Sequence, residues 1–172
     1  VDRPQKFSNI VPALYGFVPQ TYCDEEVAKN CAEKNNIPEI VGDKDPLDIC
    51  VLTERAITHG NLIVPAIPIG GFRMIDGGEA DDKIIAVLKG DEMYQQWKDV
   101  SDVPASVINR LKHYFLTYKE IPQEGQKPKC EIVETYGREE AFEVIRKSQL
   151  DYENNFGNIE EELSVALEKA LK

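Results

Sequence analysis

Histidine and paired cysteines are scarce in this chain. Two histidines, His59 and His113, and four cysteines, Cys23, Cys31, Cys50 and Cys130, are scattered over 172 residues with no C-x-x-C pair. A zinc centre built from them has no spacing signal. Cys50, set in an apolar run, reads as a small core residue. Unpaired thiols fit a reducing, cytoplasmic setting. Positive charge is short as well: 20 Lys and Arg against 31 Asp and Glu leave a net charge of −11 and a pI near 4.7. No broad basic surface follows from that balance, which argues against nucleic acid or an anionic membrane as partner. No apolar run is long enough to span a bilayer, and no signal peptide or lipidation motif is visible. An initiating methionine is missing too: the chain starts "VDRPQKF", and the expectation is a processed or shortened polypeptide.

What is present is the composition of one ordinary domain, 42% hydrophobic and 30% charged, expected to cover residues 1–172. No internal repeat or low-complexity linker interrupts it. The first twenty residues mix Pro4, Pro12, Gly16 and Pro19 with short apolar groups and read as extended segments and turns. "CDEEVAKNCAEKNN" reads as a short helix with Asp24 as N-cap. Strands are expected over 47–53, 82–88 and "KCEIVETYG". The run 61–75 reads as one bent strand or two, because Pro65 and Pro68 cannot donate to a central ladder. The second half turns helical. Val107, Leu111, Tyr114 and Tyr118 recur at helical spacing after Pro104, and Phe142, Ile145 and Gln149 line one side of a second helix. The tail carries a capping box, Asn158 with Glu161. Strands first and helices last predict an α+β fold: a small, mostly antiparallel sheet or barrel with helices packed outside.

Two acidic groups stand out from this background. In "VGDKDPLDICV", Asp43, Asp45 and Asp48 crowd the entrance of an apolar strand. In "MIDGGEADDKI", Asp76 precedes a Gly-Gly turn and Asp81 and Lys83 follow it. Strand side chains alternate, so Asp81 and Lys83 share a face. A carboxylate to hold a cation and an ammonium to meet an anion suit a metal–phosphate site. Magnesium takes oxygen ligands, a few carboxylates plus substrate phosphates. Crowded carboxylates without a cation raise one another's pKa. Two or more metals remove that penalty and activate a water, and a spare carboxylate can serve as its general base.

Other readings of the cluster fit less well. A solvated acidic loop is the plain alternative, and "DEE" at 24–26 and "EEE" at 160–162 are read as no more than helix starts. An EF-hand loop from Asp43 would accept Asp45 and Glu54, but Asp48 stands where glycine is required and Pro46 resists the curl. A haloacid-dehalogenase-type phosphotransferase would need a parallel sheet with crossover helices, which the strand pattern does not offer.

"DKDPLD" together with "DGGEADDK" resembles soluble inorganic pyrophosphatase of family I, whose signature is D-x-D-P-x-D. "VDR" at the start, "YG" at 15–16 and "HYFLTYK" at 113–119 match the same family, in unbroken order over about residues 1–145. The resemblance implies an OB-like five-stranded β-barrel with flanking α-helices, and hydrolysis of pyrophosphate to two phosphates by direct attack of a metal-activated water. It implies Asp43, Asp48, Asp76 and Asp81 as metal ligands and Asp45 as general base. Arg3, Lys83, Tyr118 and Lys119 would bind phosphate oxygens, with Tyr15 supporting the site and Lys127 a weaker match. It further implies several Mg²⁺ ions per site, with Mn²⁺ as a substitute, and a homo-oligomer, a hexamer if the source is bacterial. Two departures stand against the family pattern. Family members carry further residues before "VDR" that supply early barrel strands and a Glu and a Lys of the site, so this chain is expected to be a shortened form or to complete its core with a neighbouring subunit. The segment 20–42 is longer than in compact bacterial members and is expected on the surface. A non-catalytic divalent-cation-binding module, or an inactive truncated pyrophosphatase, is the competing expectation.

Overall fold

The computed structural model describes residues 10–119 and 129–159, with 163, 167 and 169 beyond. In chain order the elements are β1 (Leu14–Phe17), α1 (Glu25–Asn35), β2 (Val41–Gly42), β3 (Asp48–Leu52), β4 (Ala66–Asp76), β5 (Glu79–Ala80), β6 (Lys83–Leu88), α2 (Ala105–Thr117), β7 (Cys130–Gly137) and α3 (Arg138–Phe156). Two of the seven strands are two residues long, so the substantial sheet is five-stranded. Its order is β1-β3-β6-β4-β5-β2, with β7 added on β4. It is a mixed, curled half-barrel with three flanking helices. Most pairs are antiparallel, but β3 pairs β6 and β2 pairs β5 in parallel. These two pairings bring the acidic loop between β2 and β3 against the second acidic group.

Local chemistry explains the strand edges. Pro65 lies outside β4, and Pro68 sits at a register shift in the β4–β6 pairing, where a missing donor is tolerated. The β4–β5 hairpin turns on Gly77 and Gly78, both at positive φ (62° and 95°), as a two-residue hairpin loop requires. β6 is buried at every position, because both sheet faces are covered.

Side-chain alternation sorts the core into layers. Phe72, Met74, Ile85 and Val87 pack against Ile108, Leu111, Tyr114 and Phe115 of α2, each such side chain contributing about 1.5–3 kcal/mol by burial. Ile75 and Ile84 turn to the other face and meet Val27 and Cys31 of α1 and Ala141 and Val144 of α3. All four cysteines are free and buried, as read for Cys50.

Three expectations need revision or fall elsewhere. Asp24 occupies the N-cap of α1 without using its side chain as a cap; Asp151 of α3 supplies the acceptor instead. The inward face of α3 is Ala141, Val144, Ser148 and Asp151, whereas Gln149 is exposed. The helix crosses its partner one position away from the apolar stripe, and two polar residues are buried because they have backbone partners. Glu161 of the capping box in the tail lies outside the described residues.

The face shared with α1 and α3 also buries a charge network. Arg73, fully inaccessible, sends Nε to Asp82 (3.3 Å), one terminal nitrogen to Glu140 (2.6 Å) and the other to the Asn35 side-chain oxygen (3.2 Å). The Tyr136 hydroxyl donates to Asp82 at 3.3 Å, and the Arg73 guanidinium lies 5.1 Å from the Tyr136 ring centre. Asn30 and Lys34 of α1 complete the shell around Glu140 at 3.0 and 3.2 Å. Burial pushes Asp82 up to about 6, with the Arg73 charge opposing the rise. Breaking a buried pair from one side leaves an uncompensated charge. Arg73→Met should therefore lower stability by about 3–5 kcal/mol in urea denaturation. A loss below about 1 kcal/mol would show the network to be dispensable for folding.

Candidate active site

Four proposed ligands meet two of the proposed phosphate-binding lysines, Lys83 and Lys119, at one end of the sheet, on the face that carries α2. The decisive register is Asp48 opposite Lys83 in the parallel β3–β6 ladder. Lys83, 2% exposed, donates to Asp48 Oδ2 at 2.5 Å and to Asp81 Oδ1. The Tyr15 hydroxyl donates to the same Asp48 oxygen at 2.6 Å, placed there by the pairing of β1 with β3. Gly42 beside Ala80 in the β2–β5 pairing sets the 43–47 loop next to Asp81. The loop itself turns through Lys44 at φ 60°, and the Asp45 amide donates to Asp43 Oδ1 at 3.0 Å. Pro46 is exposed and Leu47 is wholly buried, so the loop is anchored at its C-terminal end while Asp45 faces solvent.

The second acidic group arrives from the β4–β5 turn. Asp76 Oδ2 accepts from Lys119, whose nitrogen also lies 3.8 Å from Asp81 Oδ2. Lys119 follows the C-terminus of α2, and Tyr118 beside it stacks on Tyr114, with ring centres 5.0 Å apart. Tyr118 is both a partly buried core residue and a neighbour of the site. Asp81 and Lys83 share the site face as the alternation predicted, while Asp82 between them turns to Arg73 on the far side.

The electrostatics are those of a carboxylate cluster held together by ammonium groups. Burial pushes the Asp43 carboxyl up to about 8; the Asp81 carboxylate adds to the rise, and the Asp45 amide and Lys83 oppose it. Burial would lower Lys83, but Asp81 and Asp48 outweigh it and hold the ammonium well above its ordinary value. Burial raises Asp76, yet hydrogen bonds from Lys119 and Cys130 bring it below the usual carboxylate range. Burial raises the Tyr15 phenol. Among the described residues no three acidic, His or Cys side chains already converge at ligand distance; the Lys83 and Lys119 nitrogens stand between the carboxylates instead. The donor set fits a hard divalent ion. It is all carboxylate oxygen, and Asp43 is a carboxyl that a nearby cation would ionise.

Cys130 was missed as part of this site. Its thiol donates to Asp76 Oδ1 at 3.1 Å, because β7 pairs with β4 and sets Cys130 opposite Asp76. The pairing joins strands 54 residues apart, which no local pattern announces. Arg3 and Lys127 lie outside the described residues. The EF-hand alternative ends with β3, which starts at Asp48 where such a loop would still be turning. The chain between the parallel strands β3 and β6 is the β4–β5 hairpin, with no crossover helix, which removes the haloacid-dehalogenase topology.

The family model for inorganic pyrophosphatase matches residues 1–153. The chain belongs to the inorganic pyrophosphatase family. It is 54% identical over 159 residues to the inorganic pyrophosphatase of Chlamydia caviae, covering 91% of this chain and 74% of that one. The corresponding protein of Chlamydia muridarum is 52% identical, with 91% and 76% covered. The crystal structure of inorganic pyrophosphatase from Thermus thermophilus superimposes with a TM-score of 0.69 at 27% identity, over 89% of this chain and 76% of that chain. The chain thus spans about three quarters of the length of these relatives. Membership of this family implies dependence on divalent metal. Among the described residues no helix is long and apolar enough to cross a membrane.

Lys83 bridges two carboxylates with one positive charge, which gives a direct test of the site's charge balance. Lys83→Met, assayed in EDTA, should lower Tm by roughly 6–20 °C, the equivalent of about 3–5 kcal/mol. Millimolar Mg²⁺ should raise the Tm of this variant more than that of the wild type. Equal Mg²⁺ shifts in both proteins would contradict the charge assignment.

Proposed function

We propose that this chain hydrolyses inorganic pyrophosphate to two phosphates, by direct attack of water and without a covalent intermediate. The observation that carries this reading is the convergence of Asp43, Asp48, Asp76 and Asp81 with Lys83 and Lys119 around one mouth of the sheet. A pyrophosphate-cleaving site needs hard cation ligands and phosphate-binding cations side by side, and family membership points to the same substrate. Divalent cations held by the four aspartates, Mg²⁺ first and several per site, would lower the pKa of the attacking water and offset phosphoryl charge.

The chain's own groups take the remaining roles. Asp45, exposed at the crest of the loop, would accept the proton of the attacking water as general base. Lys83 and Lys119 would trade carboxylate for phosphate oxygens as cations and substrate enter, joined by Tyr118 and, outside the described residues, Arg3 and Lys127. Tyr15 fixes the Asp48 carboxylate by its 2.6 Å hydrogen bond, so that oxygen stays aimed at the site. The positioned charges supply most of the catalysis, because phosphoryl transfer leaves little covalent work to the protein. We further take residues 1–172 as one domain working in the cytoplasm, where four buried free thiols remain reduced, and as the subunit of a homo-oligomer.

The test is phosphate release from pyrophosphate. Release should require Mg²⁺, stop with EDTA, and fall by about 10²–10⁴-fold in kcat for Asp45→Asn. Cation binding without release would identify a non-catalytic module instead. An unchanged rate and pH profile for Asp45→Asn would remove Asp45 as base.

A further inference from the structure

The 43–47 loop has little internal support. Beyond its own Asx turn, it is laid on residues 18–24, the stretch that leads into α1. The Cys23 amide donates to the Asp45 carbonyl (3.0 Å), and the Lys44 amide donates to the Cys23 carbonyl (2.9 Å). The Leu47 amide donates to Thr21 Oγ1 (3.0 Å), and the Val18 amide to the Leu47 carbonyl (2.8 Å). Gly42 lies so close that a Cβ there would stand 2.3 Å from the Cys23 carbonyl oxygen. Any displacement of residues 22–24 therefore moves the backbone that aims Asp43, Asp45 and Asp48.

That template is fixed from α3, through one carboxylate. Asp151, 1% exposed, accepts from the amides of Asp24 (2.9 Å), Glu26 (2.9 Å) and Val27 (3.0 Å). These are the amides at the start of α1 that no helical carbonyl can satisfy. Asp24 does not cap them with its own side chain. The Ser148 carbonyl, one turn earlier on α3, accepts from the Tyr22 amide at 2.9 Å. Asp151 thus grips the residue that follows Cys23, and Cys23 grips both Lys44 and Asp45.

We propose that Asp151 is a positioning residue for the metal-binding loop, acting through the N-terminus of α1 and Cys23. The proposal rests on reading residues 43–48 as metal ligands and base. It gives the 20–42 segment a role beyond surface decoration: α1 is the strut that holds the loop in place beside Asp81. A carboxylate can accept all three amides with two oxygens. Asparagine keeps one accepting oxygen and alanine none, so the two substitutions form a graded series.

Mn²⁺ binding, followed by loss of the free-ion EPR signal, tests the proposal without relying on turnover. Asp151→Ala should weaken Mn²⁺ binding about 10–100-fold, the usual effect of removing an outer partner of metal ligands, and Asp151→Asn should fall between it and the wild type. The Mg²⁺ concentration for half-maximal phosphate release should shift in the same order. Thr53→Ala is the control. It removes a 2.6 Å hydrogen bond to another buried aspartate, Asp91, beyond the opposite end of β3, and should lower stability without moving Mn²⁺ binding. Folded Asp151→Ala that binds Mn²⁺ like the wild type, or an equal loss in Thr53→Ala, would overturn the proposal. If Asp151→Ala does not fold, unchanged binding by Asp151→Asn does so alone. Mn²⁺ binding by a wild type that releases no phosphate would sink the hydrolase reading and leave the positioning comparison intact. A wild type that binds no Mn²⁺ would overturn both.

Discussion

Four aspartates brought to one end of the sheet would repel one another, and two ammonium groups among them offset much of that repulsion. Lys83 does most of the cancelling from inside, between Asp48 and Asp81, and Lys119 does it from the rim, between Asp76 and Asp81. A divalent ion could take the place of either ammonium beside the carboxylates, and a phosphate could take the place of a carboxylate as the acceptor for either ammonium. Under the proposed function, the same arrangement that stabilises the metal-free protein would receive cations and a polyanion. Burial, with the Asp81 carboxylate adding to it, raises Asp43 to about 8, so a cation placed beside it would favour its ionised form.

The opposite face of the sheet makes this crowding tolerable. Alternation turns Asp82 away from Asp81 and Lys83 into the Arg73 network, which ties β4 and β6 to α1 and α3 through Glu140, Asn35 and Asn30. Asp151 ties the start of α1 to α3 a few turns further along. The site face is thus backed by two buried carboxylate anchors that never touch it. Buried polar groups of this kind cost desolvation and add rigidity when every partner is present. Rigidity suits a site of several carboxylates, since a shift of one side chain changes the separation of their charges.

Much of this was legible in the sequence, in proportion to how local the cause was. The shared face of Asp81 and Lys83 follows from strand alternation over two residues. The α2 core face follows from Leu111, Tyr114 and Tyr118 at helical spacing, and the irregularity in β4 from Pro68. The D-x-D-P-x-D stretch could be read as a metal–phosphate loop because its acids cannot coexist cheaply without a cation. What was not legible was set by pairing between distant segments. The parallel register that puts Lys83 opposite Asp48, the β7 pairing that puts Cys130 on Asp76, and the capping of α1 by an aspartate 127 residues from Asp24 have no local signature. Asp24 looked like a cap because its residue type and position suited one; a tertiary acceptor with better geometry took the amides instead. Gln149 followed the helical period but lost the inward position to Ser148 and Asp151, whose polar atoms find backbone partners.

The central claim is that the four aspartates gathered around Lys83 and Lys119 form one multi-cation centre. Anomalous diffraction from crystals of the protein soaked in Mn²⁺ tests it most directly. The account predicts two or more peaks, about 3.5–4 Å apart, bounded by Asp43, Asp48, Asp76 and Asp81, with the Lys83 or Lys119 nitrogen displaced from at least one carboxylate. No peak within reach of these four side chains at saturating Mn²⁺, or a single ion bound elsewhere on the acidic surface, would contradict it.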